Sequence, residues 1–138
     1  PKDPEALIEA PIGRSLVTRT RMSLFRTGKS RPASTRYTVL STERGCSLLR
    51  CKILTGRTHQ IRVHLRSIGH PILGDEMYGT EEGRNTARDL GLSSPLLHAW
   101  QLSFTSPETG KLVEVTAPIP EEFRRASEAL GLPMHGIS

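Results

Sequence analysis

The feature that most constrains this chain is an abrupt change of periodicity at Thr55-Gly56-Arg57. Before it, Ser47 to Leu54 alternates: Leu49, Cys51 and Ile53 share one face, while Leu48, Arg50, Lys52 and Leu54 share the other. A period of two with one wholly apolar face predicts a half-buried strand. After it, Ile61, Leu65 and Ile68 fall at i, i+4 and i+7, one buried stripe of a helix. Thr58 is placed to cap that helix and Gly69 to end it near Ile68, and Pro71 forbids continuation.

Around this junction the chain reads mostly as strands. The β-prone run Tyr37-Thr38-Val39-Leu40 and the turn signal Glu43-Arg44-Gly45 pair residues 36–40 with the alternating strand as a hairpin. His98, Trp100, Leu102 and Phe104 alternate with their neighbours, as do Val113, Val115 and Ala117. With the turn Ser106-Pro107-Glu108-Thr109-Gly110 between them, they predict a second hairpin. Pro120 opens a terminal helix with Glu121 and Glu122 in its first turn, Phe123, Ala126 and Leu130 inward, and Gly131 at its end. Residues 1–13 read as an extended lead-in and 80–95 as a variable surface loop. The class expected is α+β, a mixed, mainly antiparallel sheet with flanking helices. At 138 residues this is one domain, without internal repeats. The first residue is Pro1, so the chain is expected to be cut from something longer.

Charge is unevenly spread. Residues 1–70 hold 14 basic and 4 acidic side chains, a net of +10; residues 71–138 hold 5 and 10, a net of −5. Most of the cations are Arg, 15 against 4 Lys, and the guanidinium fork matches phosphate oxygens. The six aromatic residues are scattered, so no base-stacking platform is visible. No run of 18 apolar residues exists to form a membrane-spanning helix, and the start has no signal-peptide pattern. Cys46 and Cys51 make no disulfide framework, which fits a reducing compartment.

The residues that could carry chemistry are few. His59 and His64 are five apart and miss the shared face that i, i+4 zinc ligands need, so no metal is expected. No Gly-rich phosphate loop of the dinucleotide or Walker kind is present, so no nucleotide cofactor is expected either. Asp75 and Tyr78, flanked by Gly74 and Gly79, read as residues that hold a turn. Gly56-Arg57-Thr58-His59-Gln60 places basic and polar groups at a helix N-terminus, where backbone N–H groups attract anions. The residues alone leave open whether this is a phosphate site or a capped helix with solvated side chains. Arg62 sits at the edge of the apolar stripe, with His59 and Arg66 further out, and an Arg so placed calls for an acidic partner.

The stretch Leu54-Thr55-Gly56-Arg57-Thr58-His59-Gln60-Ile61-Arg62-Val63-His64-Leu65 is followed by Ile68-Gly69-His70-Pro71-Ile72-Leu73-Gly74-Asp75 and Tyr78-Gly79. Together they resemble the signature of RluA-type pseudouridine synthases over about 25 consecutive positions. Ala10 to Arg14, Gly28-Lys29, Thr35, Tyr37, Val39, Leu97-His98-Ala99, Leu102-Ser103-Phe104 and Pro118-Ile119-Pro120 resemble flanking parts of the same family. The resemblance implies isomerisation of uridine to pseudouridine in ribosomal or transfer RNA, without cofactor or metal. It implies that Arg62 pairs with the catalytic Asp, and that Arg57, His59, Gln60 and Arg66 serve RNA binding. The family's His-Arg-Leu-Asp segment is not in this chain, so the chain is expected to be the C-terminal portion of a catalytic domain, inactive alone. Its partners would be RNA and the N-terminal half, in cis or in trans. The place expected is the cytoplasm, or an organelle if a targeting segment has been removed. The alternative is a non-catalytic RNA-binding or ribosome-associated protein that retains the scaffold.

Overall fold

The computed structural model describes residues 1, 3–15, 22–23, 27–92, 94–105, 107–132 and 134. The strands are β1 (Glu5–Glu9), β2 (Ile12–Ser15), β3 (Met22–Ser23), β4 (Thr27–Arg31), β5 (Ser34–Glu43), β6 (Cys46–Ile53), β7 (Gln101–Thr105) and β8 (Leu112–Thr116). The helices are α1 (Gln60–Ser67), α2 (Glu81–Asp89) and α3 (Glu121–Ala129). Among the described residues the strands form three sheets, ordered β1-β5-β6, β3-β2-β4 and β7-β8, and every pairing is antiparallel.

The β5–β6 hairpin is longer than the sequence suggests. It closes at Glu43↔Cys46 through Arg44 and Gly45, both with positive φ (53° and 75°). Two left-handed residues match the right-handed twist of the flanking strands. Leu49 and Cys51 face the core as expected, packing with Tyr37, Ile8 and Leu65. Ile53, assigned to the same face, is 48% exposed at the strand end. The extended lead-in carries β1: Leu7 pairs with Arg36 and Ile8 with Thr35, making β1 an edge of the main sheet.

α1 crosses that sheet and buries a broader face than the stripe predicted. Leu65 enters the cluster of Ile8 and Tyr37, while Val63 enters a second one with Ile12, Ala33 and Tyr78. Ile68, expected in the stripe, is exposed, and His64 is fully buried in its place. The cap also differs. His59, not Thr58, is the N-cap; it sits in the left-handed region at φ 54° and makes no side-chain cap bond. The C-terminus closes as expected at Gly69 (φ 82°). The His70 N–H reaches the Leu65 carbonyl and the Gly69 N–H that of Arg66, the paired bonds of a Schellman end.

Residues 80–95 are not wholly a loop, because they contain α2. Its N-cap Thr80 accepts a hydrogen bond from the Gly83 N–H, and Glu81 and Glu82 fill its first turn. Only Ala87 of this helix is buried, so it lacks the apolar stripe by which a helix is recognised in sequence. In the second hairpin Leu102 pairs with Val115 and Phe104 with Val113; His98 and Trp100 lie before β7. α3 buries Ala126, and the Arg44 guanidinium donates to the Ala129 carbonyl at 3.2 Å, tying that helix to the hairpin turn. No helix among the described residues is long and apolar enough to cross a membrane.

Candidate functional site

The loop 54–59, α1 and the turn 74–79 bring the signature residues together. Gln60 opens α1 with its side chain folded inward, 4% exposed. Its Oε1 accepts from Thr55 Oγ1 (2.6 Å) and the Arg57 N–H (3.0 Å), and its Nε2 donates to the Ser34 carbonyl (2.8 Å) and Thr35 Oγ1 (2.9 Å). Both donors and both acceptor positions of the amide are used within the fold. Gln60, expected in RNA binding, uses these groups to hold the loop 55–57 against β5. Thr35 extends the network, since its hydroxyl is bonded to His64 Nδ1 at 2.8 Å, while His64 Nε2 donates to the Ala10 carbonyl at 2.9 Å.

Arg62 has its acidic partner inside the chain. Its Nε donates to Asp75 Oδ2 at 2.8 Å and its Nη2 to Asp75 Oδ1 at 2.9 Å, a bidentate pair with side chains 20% and 0% exposed. Asp75 does hold a turn, as expected: Oδ1 also accepts the N–H groups of Met77 and Tyr78, each at 3.1 Å. Burial pushes the Asp75 carboxyl up. The hydrogen bonds from Arg62 and from the Tyr78 and Met77 N–H groups, with the Arg62 charge, outweigh that and hold it below its ordinary range. The hydrogen bond to Asp75 in turn raises the Arg62 value.

Tyr78, 1% exposed, lies under this pair, its ring centroid 4.9 Å from the Arg62 guanidinium carbon. Its hydroxyl is hydrogen-bonded to His59 Nδ1 at 2.7 Å, with the two rings edge to face. Desolvation, then the Arg62 charge, lower the His59 value; Asp75 opposes them. Arg66 is exposed and donates to the Tyr78 carbonyl at 3.0 Å. Arg57 Nε donates to the Pro32 carbonyl at 2.8 Å, and its two Nη groups have no hydrogen-bond partner among the described residues. The two glycines of the turn have steric causes. A Cβ on Gly74 (φ 84°) would overlap the Ser94 carbonyl oxygen, and one on Gly79 would overlap that of Asp75.

His59, Arg62 and Arg66 thus converge on the turn that carries Asp75 and Tyr78. Asp75 and Tyr78 belong at the centre of the cluster, a place that their local sequence does not reveal. No group of three or more His, Cys, Asp and Glu able to hold a metal occurs among the described residues, and both cysteines are free.

This α+β arrangement of antiparallel sheets and helices is that of pseudouridylate synthase domains, as comparison with known proteins shows. The RNA pseudouridylate synthase family model matches residues 1–67. Ribosomal large subunit pseudouridine synthase D of Nitrosomonas europaea is 42% identical over 137 residues, covering 97% of this chain and 39% of that protein. An RNA pseudouridine synthase of Chloroflexus aurantiacus is 45% identical over 117 residues, covering 85% of this chain and 35% of that protein. The solved structure of Human RNA Pseudouridylate Synthase Domain Containing 1 superposes with a TM-score of 0.73 at 31% identity, over 86% of this chain and 49% of that one. The chain belongs to the RluA-type pseudouridine synthase family, and it spans about two fifths of the length of the curated relatives it matches.

Proposed function

We propose that this chain is the C-terminal portion of a catalytic domain that isomerises uridine to pseudouridine in ribosomal or transfer RNA. The carboxylate that acts on the nucleotide comes from a segment outside this chain, in cis or in trans. Arg62 supports that carboxylate, and Arg57, His59 and Arg66 place the RNA. In the reaction the N1–C1′ bond of uridine breaks, a C5–C1′ bond forms, the C5 hydrogen leaves as a proton, and N1 takes up a proton from solvent.

The observation that carries this reading is the state of Arg62. Its guanidinium is clamped on one edge by Asp75 and on one face by Tyr78, and Nη1 has no hydrogen-bond partner among the described residues. A guanidinium fixed in this way is ready to hold a second carboxylate in one position and ionised. One observation favours the alternative of a non-catalytic RNA-binding scaffold: Asp75 already matches the Arg62 charge, so the fold stands without another carboxylate.

Tritium release from RNA labelled at uridine C5 separates the two. The chain alone is expected to release none above background. The protein that carries this chain together with a His-Arg-Leu-Asp segment is expected to turn over. RNA binding with no release by that larger protein establishes the scaffold reading instead.

A further inference from the structure

Asp75 does more than a turn requires. A turn of this kind uses one side-chain oxygen, and Oδ1 alone accepts the Met77 and Tyr78 N–H groups. The second oxygen, Oδ2, is committed to Arg62 Nε. A guanidinium offers two in-plane forks, one from Nε and Nη2 and one from Nη1 and Nη2. Asp75 occupies the first. The second includes Nη1, which has no hydrogen-bond partner among the described residues, and Arg62 is the more exposed member of the pair, at 20% against 0%. Tyr78 lies against the face of the same group, 4.9 Å from ring centroid to guanidinium carbon, and limits its tilt. Both restraints come from one four-residue turn, 75–78, whose backbone leaves no room for a Cβ at Gly79.

We infer that Asp75 is a positioning residue for the isomerisation: by holding the inner edge of Arg62 it presents the outer edge to the catalytic carboxylate. The inference rests on the proposed isomerase function. Asp75 touches neither nucleotide nor nucleophile, and its effect passes through Arg62. A carboxylate received by the outer fork sits in the guanidinium plane, so its direction toward the nucleotide is set by Asp75, two hydrogen-bonded groups away.

Asp75→Asn separates this role from the turn. The Asn oxygen still accepts the Met77 and Tyr78 N–H groups, which puts its NH2 where Oδ2 stood, donor against donor with Arg62 Nε. The test uses the protein as the cell makes it, with whatever flanks this chain. Single-turnover tritium release, RNA affinity and the 1H–15N signal of Arg62 Nε are measured for the wild type, Asp75→Asn, Arg62→Met and the double variant. We expect Asp75→Asn to shift the Nε signal, to keep RNA affinity within about threefold, and to slow release by about 100-fold or more. The double variant should be no slower than Arg62→Met, because one residue acts through the other. Asp75→Asn within threefold of the wild-type rate overturns the inference. So does a loss confined to affinity, or a double variant slowed by the product of the single losses. Should Asp75→Asn fail to fold, Arg62→Lys keeps the charge and the turn but loses the fork, and a rate within threefold of wild type overturns the inference in its place. A wild-type protein that binds RNA and releases no tritium sinks the isomerase reading itself, a different result from any of these.

Discussion

Gln60 Nε2 donates to Thr35 Oγ1 at 2.9 Å, and the same hydroxyl is bonded to His64 Nδ1 at 2.8 Å, so one threonine on β5 fastens α1 at two places a turn apart. Thr35 and His64 are each 0% exposed and Gln60 4%. This part of the family signature therefore fastens the fold.

Gln60→Ala should consequently unfold the chain more readily without changing what it binds. The substitution leaves Thr55 Oγ1, the Arg57 N–H, the Ser34 carbonyl and Thr35 Oγ1 short of partners. Buried groups left unpaired cost about 1–3 kcal/mol each, and water re-solvates some of them, so a loss of roughly 3–5 kcal/mol is expected. Urea unfolding measures it. Unchanged stability with weakened RNA binding would return Gln60 to the ligand.

Two glycines of the signature should respond very differently to the same change. Gly79→Ala drives a methyl into the Asp75 carbonyl and should cost more than about 2 kcal/mol, lowering the melting temperature by several degrees. Gly56→Ala meets nothing within 4 Å and should shift stability by less than about 0.5 kcal/mol. Paired thermal melts decide it, and equal losses would refute the steric account.

The Asp75–Arg62 pair predicts a definite acid limb of stability. The Asp75 value lies below its ordinary 3.8 in the folded chain. Its contribution is therefore present above that ordinary value and lost as pH falls through the lower folded one. Urea unfolding between about pH 6 and pH 2 should show the wild type losing stability faster than Asp75→Asn over the lower part of that range. Parallel pH profiles for the two proteins would mean that Asp75 is not held ionised by Arg62.

RNA binding by the chain should weaken steeply with salt, because pairing cations with phosphates releases counterions. Neutralising both Arg57 and Arg66 should lower affinity and reduce the salt slope by about 0.7–0.9 for each phosphate that they neutralise. Discrimination between RNA sequences should stay poor throughout. Titrations of one structured RNA at two salt concentrations test this, and an unchanged slope in the double variant would remove these residues from the interface.

Local pattern makes the framework legible. The period change at residues 55–57, the turn at Arg44-Gly45 and the helix end at Gly69 all lie within short windows, and the strand, turn and helix form there with boundaries shifted by a residue or more. α2 is invisible to such reading because a helix that buries one alanine carries no periodic signal. The apolar-stripe argument demands an acid for Arg62, yet the family resemblance sends that acid to an absent segment. Asp75 reads as a turn residue because the local sequence shows only its Oδ1 role, and Oδ2 becomes informative once α1 is packed. The bonds of Gln60 are hidden for a related reason: a polar residue at a helix start looks solvated until its four partners are assembled from β5 and the loop before it.

The Arg62–Asp75 pair joins residues 13 apart and His59–Tyr78 residues 19 apart, whereas Arg44 and Ala129 meet across 85. Closing the shortest of these loops costs roughly 1.5–2 kcal/mol less chain entropy than closing the longest. The clamp on Arg62 thus closes over a span of about twenty residues at small entropic cost, while its floor is shared with Ile12 and Ala33, which pack around Tyr78. The arginine side of the charge arrangement is therefore set by residues of this chain, whatever meets its outer edge.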